Sequence, residues 1–244
     1  MQSIYSITGK LAALATAGAI LVGATAVRAE EESFPKITGS AAFVSDYRFR
    51  GISYSNRDPA VQAGITLNTK PGFFIGAWGS SIANYNGATT EIDVIGGWTG
   101  PLGPLTATVG FTGYLYPGGS NTDVVEFYGT LAGTAGPATV TVGLNWAPEQ
   151  DNLYTSSRYM FGALGVAIPE TPITLKASAG HERGALVVDG SGTTTNKFDW
   201  MVGADLSVLG LTVGAAYIGN DMPNKSMFNT SSKNAFVVSV TAAF

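Results

Sequence analysis

Asp46, Arg48 and Arg50 stand two residues apart, with Phe43, Tyr47 and Phe49 at positions of the other parity. Successive side chains of an extended strand point to opposite faces, so this spacing gathers three charges on one face and three rings on the other. Glu91 and Asp93 repeat the arrangement, and Glu126, Arg158, Lys176, Asp199 and Asp205 lie in other segments of alternating character. Acidic and basic groups on facing walls can do two different things. They can set a transverse field across a constriction and sort hydrophilic solutes by charge and size. They can also pair with one another, filling the space and stiffening the walls.

Other chemistry is poorly provided for. The single imidazole is His181, with Ser178 three positions before it and Glu182 after it. On a strand Ser178 and His181 face opposite ways, whereas a hydroxyl and its base must meet within hydrogen-bond reach. A lipid hydrolase at a membrane boundary would have to borrow a serine from a neighbouring strand, so no catalytic residue is assigned. There is no cysteine, and one histidine with scattered carboxylates does not converge on a metal by spacing. Pro117-Gly118-Gly119 lacks the Lys-Ser/Thr that a phosphate loop needs. Neither a cofactor nor a metal is expected.

The elements that must position these charges are short and alternating. Period-2 patterning marks strands near 41–50, 60–69, 73–83, 90–99, 105–115, 123–133, 138–146, 158–167, 173–181, 198–207, 211–218 and 235–244. The third, eighth and eleventh alternate poorly, which leaves ten strands as the competing count. Every second connection is short and rich in Pro or Gly, as at Lys70-Pro71-Gly72 and Thr134 to Pro137. The others are longer and polar: 51–59, 84–89, 116–122, 147–157, 182–197 and 219–234. An antiparallel up-and-down transmembrane β-barrel has this asymmetry, with short periplasmic turns and long outer loops, and an even strand count returns both ends to the periplasm. The long loops at 182–197 and 219–234 are read as solvated by default.

Val61, Ala63, Ile65 and Leu67 share one face against Gln62, Gly64, Thr66 and Asn68. Ala138, Val140, Val142, Leu144 and Trp146 likewise oppose Thr139, Thr141, Gly143 and Asn145. Rings gather near strand ends at Tyr47, Phe49, Trp98, Tyr114, Tyr116, Trp146, Tyr159, Phe161, Phe198, Trp200 and Tyr217, where interfacial girdles place them. Charged residues are only 12% of the chain, and no stretch after residue 29 is long and apolar enough for a spanning helix. Strong alternation excludes a disordered Gly-rich chain.

Residues 1–29 have the form of a cleaved signal peptide: Lys10, an uncharged run from Leu11 to Val27, and Val27-Arg28-Ala29 before Glu30. Residues 30–244 form the expected barrel. The leader holds Lys10, Arg28 and no acid, so 17 acidic side chains then face 11 basic ones, for a net charge of about −6. That balance argues against a nucleic-acid partner. At the other end Phe244 closes the run Phe236, Val238, Val240, Ala242. A terminal aromatic on the last strand is what the barrel-assembly machinery reads. Expected partners are therefore that machinery, outer-membrane lipid and small hydrophilic solutes.

Phe43-Val44-Ser45-Asp46-Tyr47-Arg48-Phe49-Arg50-Gly51-Ile52-Ser53, followed by Pro59-Ala60-Val61-Gln62, resembles the opening of the TorF-type porins, also described as the Gcw_chp outer-membrane proteins. Phe73-Phe74-Ile75-Gly76-Ala77-Trp78-Gly79-Ser80, Thr171-Pro172-Ile173-Thr174-Leu175, Gly180-His181-Glu182-Arg183 and Gly210-Leu211-Thr212-Val213-Gly214 are similar to later stretches of that family. The apolar Ala63-Gly64-Ile65 after Gln62 departs from it, where the resemblance implies a more aromatic strand, and leaves the alternation undisturbed. The resemblance implies a bacterial outer-membrane barrel and a pore, with no solute attached.

An Arg or Lys facing lipid at the bilayer midplane costs about 2–4 kcal/mol, so the charged faces are expected to point inward. Arg48, Arg50, Glu91, Asp93, Glu126, Arg158 and Asp199 then fall in the extracellular half. Eight strands leave an interior filled by side chains and sixteen leave a channel. Twelve lies between. The expected function is passive diffusion of small hydrophilic solutes, mildly cation-preferring, and the alternative is a closed or plugged barrel with a structural or surface-binding role.

Overall fold

The computed structural model describes residues 34–187, 196–222 and 232–244, together with the paired backbone of Ala15–Thr16 and Ala19–Ile20. The signal-peptide reading of residues 1–29 otherwise lies outside the described residues. Twelve antiparallel strands form a closed barrel. They are β1 (Lys36–Val44), β2 (Ala60–Asn68), β3 (Phe73–Tyr85), β4 (Ala88–Leu102), β5 (Leu105–Leu115) and β6 (Val124–Ala135). The circuit continues through β7 (Ala138–Ala147), β8 (Ser157–Ala167), β9 (Ile173–Gly184), β10 (Asn196–Val208), β11 (Leu211–Asn220) and β12 (Ala235–Ala243).

Each strand pairs with its sequence neighbours, and β12 meets β1 in register from Ser239↔Val44 to Ala243↔Ser40. Gly39 and Phe244 extend that seam with two backbone bonds of 2.7 and 3.0 Å. Closure removes every unpaired edge, which a bilayer requires because lipid offers no partners for backbone groups. The count is twelve, not ten.

The register sorts side chains cleanly. Val61, Ile65, Phe73, Val140, Val202 and Phe236 point outward and are between 51% and 76% exposed, whereas Glu91, Asp93, Glu126 and Glu182 point inward and are at most 1% exposed. This inverts a soluble protein, in which large apolar groups are buried and charges solvated. Apolar alternation therefore serves an outer wall made for hydrocarbon.

The first strand differs from the expectation. The chain leaves the wall after Val44, so 41–50 is not one strand and Asp46, Arg48 and Arg50 do not share its face. Residues 45–59 turn into the barrel instead. Arg48 pairs with Ser53 and Phe49 with Ile52 across a two-residue turn, Arg50-Gly51, whose φ angles are 47° and 82°. Positive φ at both central residues is the type I′ geometry that tight hairpins prefer, and Gly51 accepts it without strain.

Candidate functional site

The inward segment is held together before it meets the walls. The Asp46 carboxylate accepts from Arg48 Nε at 2.7 Å and from Ser53 Oγ at 2.6 Å. Arg48 Nη1 donates to the Gly51 carbonyl at 3.0 Å, and Tyr47 N donates to Ser55 Oγ at 2.9 Å. The sequence signal for this is an Asp, a Ser and an Arg at short range around a Gly turn, an arrangement that satisfies backbone and side-chain groups locally.

Arg50 at the hairpin tip joins the segment to the barrel. Its Nη2 donates to Glu126 Oε2 of β6 at 2.6 Å and its Nη1 to Glu182 Oε1 of β9 at 2.5 Å. Its Cζ stands 4.5 Å from the Phe49 ring centre and 4.3 Å from that of Tyr159. Burial works against the guanidinium charge, but Glu126 and Glu182 outweigh it and hold the group well above its ordinary value. Lys197 Nζ of β10 bonds Glu182 Oε2 at 2.9 Å and also donates to the Arg50 carbonyl. Asn220 Nδ2 donates to the Gly51 carbonyl at 2.9 Å.

A second contact runs along the opposite wall. Tyr47 OH donates to Glu91 Oε1 of β4 at 2.9 Å, and burial, then Glu91, pushes that phenol well up. The Tyr47 ring packs edge-on against Trp78 at 5.5 Å and Tyr54 at 5.6 Å, and Phe49 meets Tyr114 at 5.8 Å. Tyr114 and Tyr159 in turn donate to Glu126 and Asp199. Segment and walls thus form one buried layer across the long-loop half of the barrel.

The short-turn half is built differently. Its inward positions include the partly exposed Thr38, Thr99, Thr130, Thr141, Thr174 and Ser239 and the buried Thr66, Thr108 and Thr241. One ion pair crosses neighbouring strands there, Lys176 Nζ to Asp205 Oδ1 at 2.6 Å.

Of the ten charged residues singled out from spacing, Asp46, Arg48 and Arg50 are inward through the segment rather than through a strand. Glu91, Asp93, Glu126, Lys176, Asp199 and Asp205 are inward on the walls. Arg158 is a correction: it sits outward and exposed, because Ser157 and Tyr159 take the inward parity of β8. The geometry of the inward set is that of pairing and filling, not of opposed charges lining an open gap. The aromatic girdle is corrected in part. Trp98, Trp146, Phe198, Trp200 and Tyr217 take outward positions, but Tyr47, Phe49, Tyr114, Tyr116, Tyr159 and Phe161 do not. Glu182 and Lys197 were missed as site residues, since each lies one residue beyond the strand end read from sequence. Ser178 faces inward and His181 outward, as their spacing requires. The inward segment takes in the whole of the polar loop 51–59, and its Ile52 packs with Val187 and Met222, so the loops 182–197 and 219–234 are not wholly solvated; 188–195 and 223–231 lie outside the described residues.

A family model described as a bacterial protein of unknown function (Gcw_chp) matches residues 28–244. The chain belongs to the Gcw_chp family. No curated protein matches the sequence. Among solved structures, this Gcw_chp barrel is similar to the NanC porin, with a TM-score of 0.58 at 8% identity over 85% of this chain and 98% of that one. It is also similar to the KdgM porin, with a TM-score of 0.57 at 9% identity over 85% and 99%. At such identities the likeness is one of fold, the closed antiparallel barrel of porins.

Proposed function

We propose that this Gcw_chp chain is a bacterial outer-membrane channel of the TorF porin type, for passive diffusion of small hydrophilic solutes, whose outer mouth is closed by residues 45–59. The long loops face the exterior and the short turns the periplasm. The observation that carries the reading is the contrast between the two halves of the lumen. Partly exposed Thr and Ser, together with the buried Thr66, Thr108 and Thr241, line the periplasmic half, while the outer half is crossed by a segment tied down through buried ion pairs. A barrel meant only to be solid would more simply fill both halves with packed side chains. Opening a path requires displacing this segment and the Val187 and Met222 side chains packed on its Ile52.

The outward Phe244 ring, 75% exposed at the β12 seam, supports its reading by the barrel-assembly machinery. The chain uses no catalytic residue in this function, and His181 serves as an interfacial side chain.

The second reading is a permanently plugged barrel with a structural or surface-binding role. It is favoured by the near-complete burial of Glu126, Glu182 and Lys197, at 0%, 1% and 2% exposure. Single-channel recording of the chain from residue 30 onward, in a planar bilayer under a KCl gradient, separates the two. Discrete openings support the channel. Silence from heat-modifiable, correctly folded barrels of both the unsubstituted chain and Arg50→Ala refutes it and leaves the plugged barrel.

A further inference from the structure

Among the described residues, the outward positions of the twelve strands hold no Asp, Glu or Lys and only two Arg. Those two, Arg158 of β8 and Arg183 of β9, are direct cross-strand partners. Two such side chains stand about 5 Å apart at their Cβ atoms, and like charges directly opposite repel. Neither makes an ion pair with a described residue.

The surroundings state what belongs between them. Trp146 is the partner of Arg158 on the other side and is 47% exposed. One rung toward the midplane lie Leu144, Met160, His181 and Phe198. An amphipathic ring at this level marks the boundary where headgroups meet acyl chains. Guanidinium forks above an apolar surface match a phosphate carried on a lipid, because each fork donates two parallel bonds to phosphate oxygens. A free anion would satisfy the forks but would leave the apolar rung without a role.

We infer that Arg158 and Arg183 form a site on the outer wall for the phosphate of an outer-leaflet glycolipid, with Trp146 and Met160 against its sugar and acyl portions. The inference rests on the membrane placement proposed above. His181, diagonal to Arg158 on the next rung, adds a donor at the lower edge of the site.

The test is native mass spectrometry of the detergent-solubilised chain, titrated with bis-phosphorylated lipid A, with its dephosphorylated counterpart and with inorganic phosphate. The intact chain is expected to bind lipid A at least tenfold more tightly than the dephosphorylated lipid. Arg158→Gln with Arg183→Gln is expected to lose at least tenfold, and Arg158→Lys with Arg183→Lys to lose less. Equal lipid A binding by the Gln pair and the unsubstituted chain overturns the site. So does indifference to the lipid's phosphates. Displacement of lipid A by equimolar inorganic phosphate makes it a free-anion site and overturns the lipid assignment. Heat-modifiable migration after reconstitution reads insertion separately. A chain that does not insert overturns the membrane placement and this inference together, whereas an inserted chain indifferent to phosphate overturns the inference alone.

Discussion

Replacing Arg50 with alanine removes the side chain that ion-pairs the inward segment to two separate strands. Its guanidinium is tied to Glu126 at 2.6 Å and Glu182 at 2.5 Å, and both carboxylates are buried. Deleting one partner of a buried ion pair costs about 3–5 kcal/mol, mostly from the carboxylate left without its counter-charge. The barrel can escape that cost by releasing the segment and letting water reach Glu126 and Glu182. The contacts that still oppose release include the Tyr47–Glu91 and Asn220–Gly51 hydrogen bonds and the bond from Lys197 to the carbonyl of residue 50, each contributing about 0.5–3 kcal/mol according to the charge on its partner. Taking the lower figure of about 3 kcal/mol, the balance between docked and released states moves roughly 100-fold toward release, at 1.4 kcal/mol per tenfold. Single-channel recordings of Arg50→Ala should therefore show open probability raised by about that factor. Arg50→Lys should fall between, because an ammonium lacks the planar fork that reaches both carboxylates. Heat-modifiable migration checks that the barrel itself is intact. An Arg50→Ala barrel that is folded yet no more open than the parent would show that the ion pairs are not the latch.

Gly51→Ala should also favour the open state, because φ is +82° there and an added Cβ would lie 2.8 Å from the Gly219 carbonyl oxygen. A non-glycine residue in that region costs about 1–3 kcal/mol, so a smaller rise in open probability than with Arg50→Ala is expected in the same recordings. Val142→Arg places a charge mid-strand on the outer wall, at a position 51% exposed. It should destabilise the inserted barrel by about 2–4 kcal/mol in a urea titration from liposomes, whereas a change near zero would contradict a lipid-facing β7. When open, the channel should prefer cations, and the reversal potential in a KCl gradient should move toward zero in Glu91→Gln with Asp93→Asn; an anion-leaning potential would defeat this.

Much of the architecture was legible because barrel strands carry two independent signals, alternation within each strand and alternation of turn length between strands. Where outward residues are large, as in β2 and β7, the pattern is plain. It weakens where small residues occupy both faces, as at Gly162 and Ala163 in β8 or Ala215 and Ala216 in β11. In β3 the register with β4 shifts between Ser81 and Tyr85, and such an irregularity breaks a strict period of two. The inward segment was hidden for a different reason. Asp46 to Arg50 keeps period-2 spacing by composition, so it reads as a continuation of the wall. Only Arg50-Gly51, with positive φ at both residues, betrays a hairpin that turns inside. Arg158 was misassigned because the lipid cost that forces charges inward falls to about 0–1 kcal/mol near the interface, where this residue sits.

The segment's charges also bear on what the open barrel would select. Among the described residues of the outer half, the walls alone carry the carboxylates of Glu91, Asp93, Glu126, Glu182 and Asp199 against the single buried ammonium of Lys197. The segment contributes Arg48 and Arg50 against Asp46. Docked, its Arg50 guanidinium meets Glu126 and Glu182, and its Tyr47 hydroxyl meets Glu91. Released, it carries Arg50 away and leaves an anionic ring facing water. Closing the mouth and masking its charge are therefore the same event, and cation preference should appear only in the open state. This explains why a hairpin with a cationic tip, rather than an apolar one, occupies the lumen. An apolar plug would leave Glu126 and Glu182 in a dry layer without the guanidinium they share, and burial of unpaired charge is the arrangement that folded proteins least tolerate.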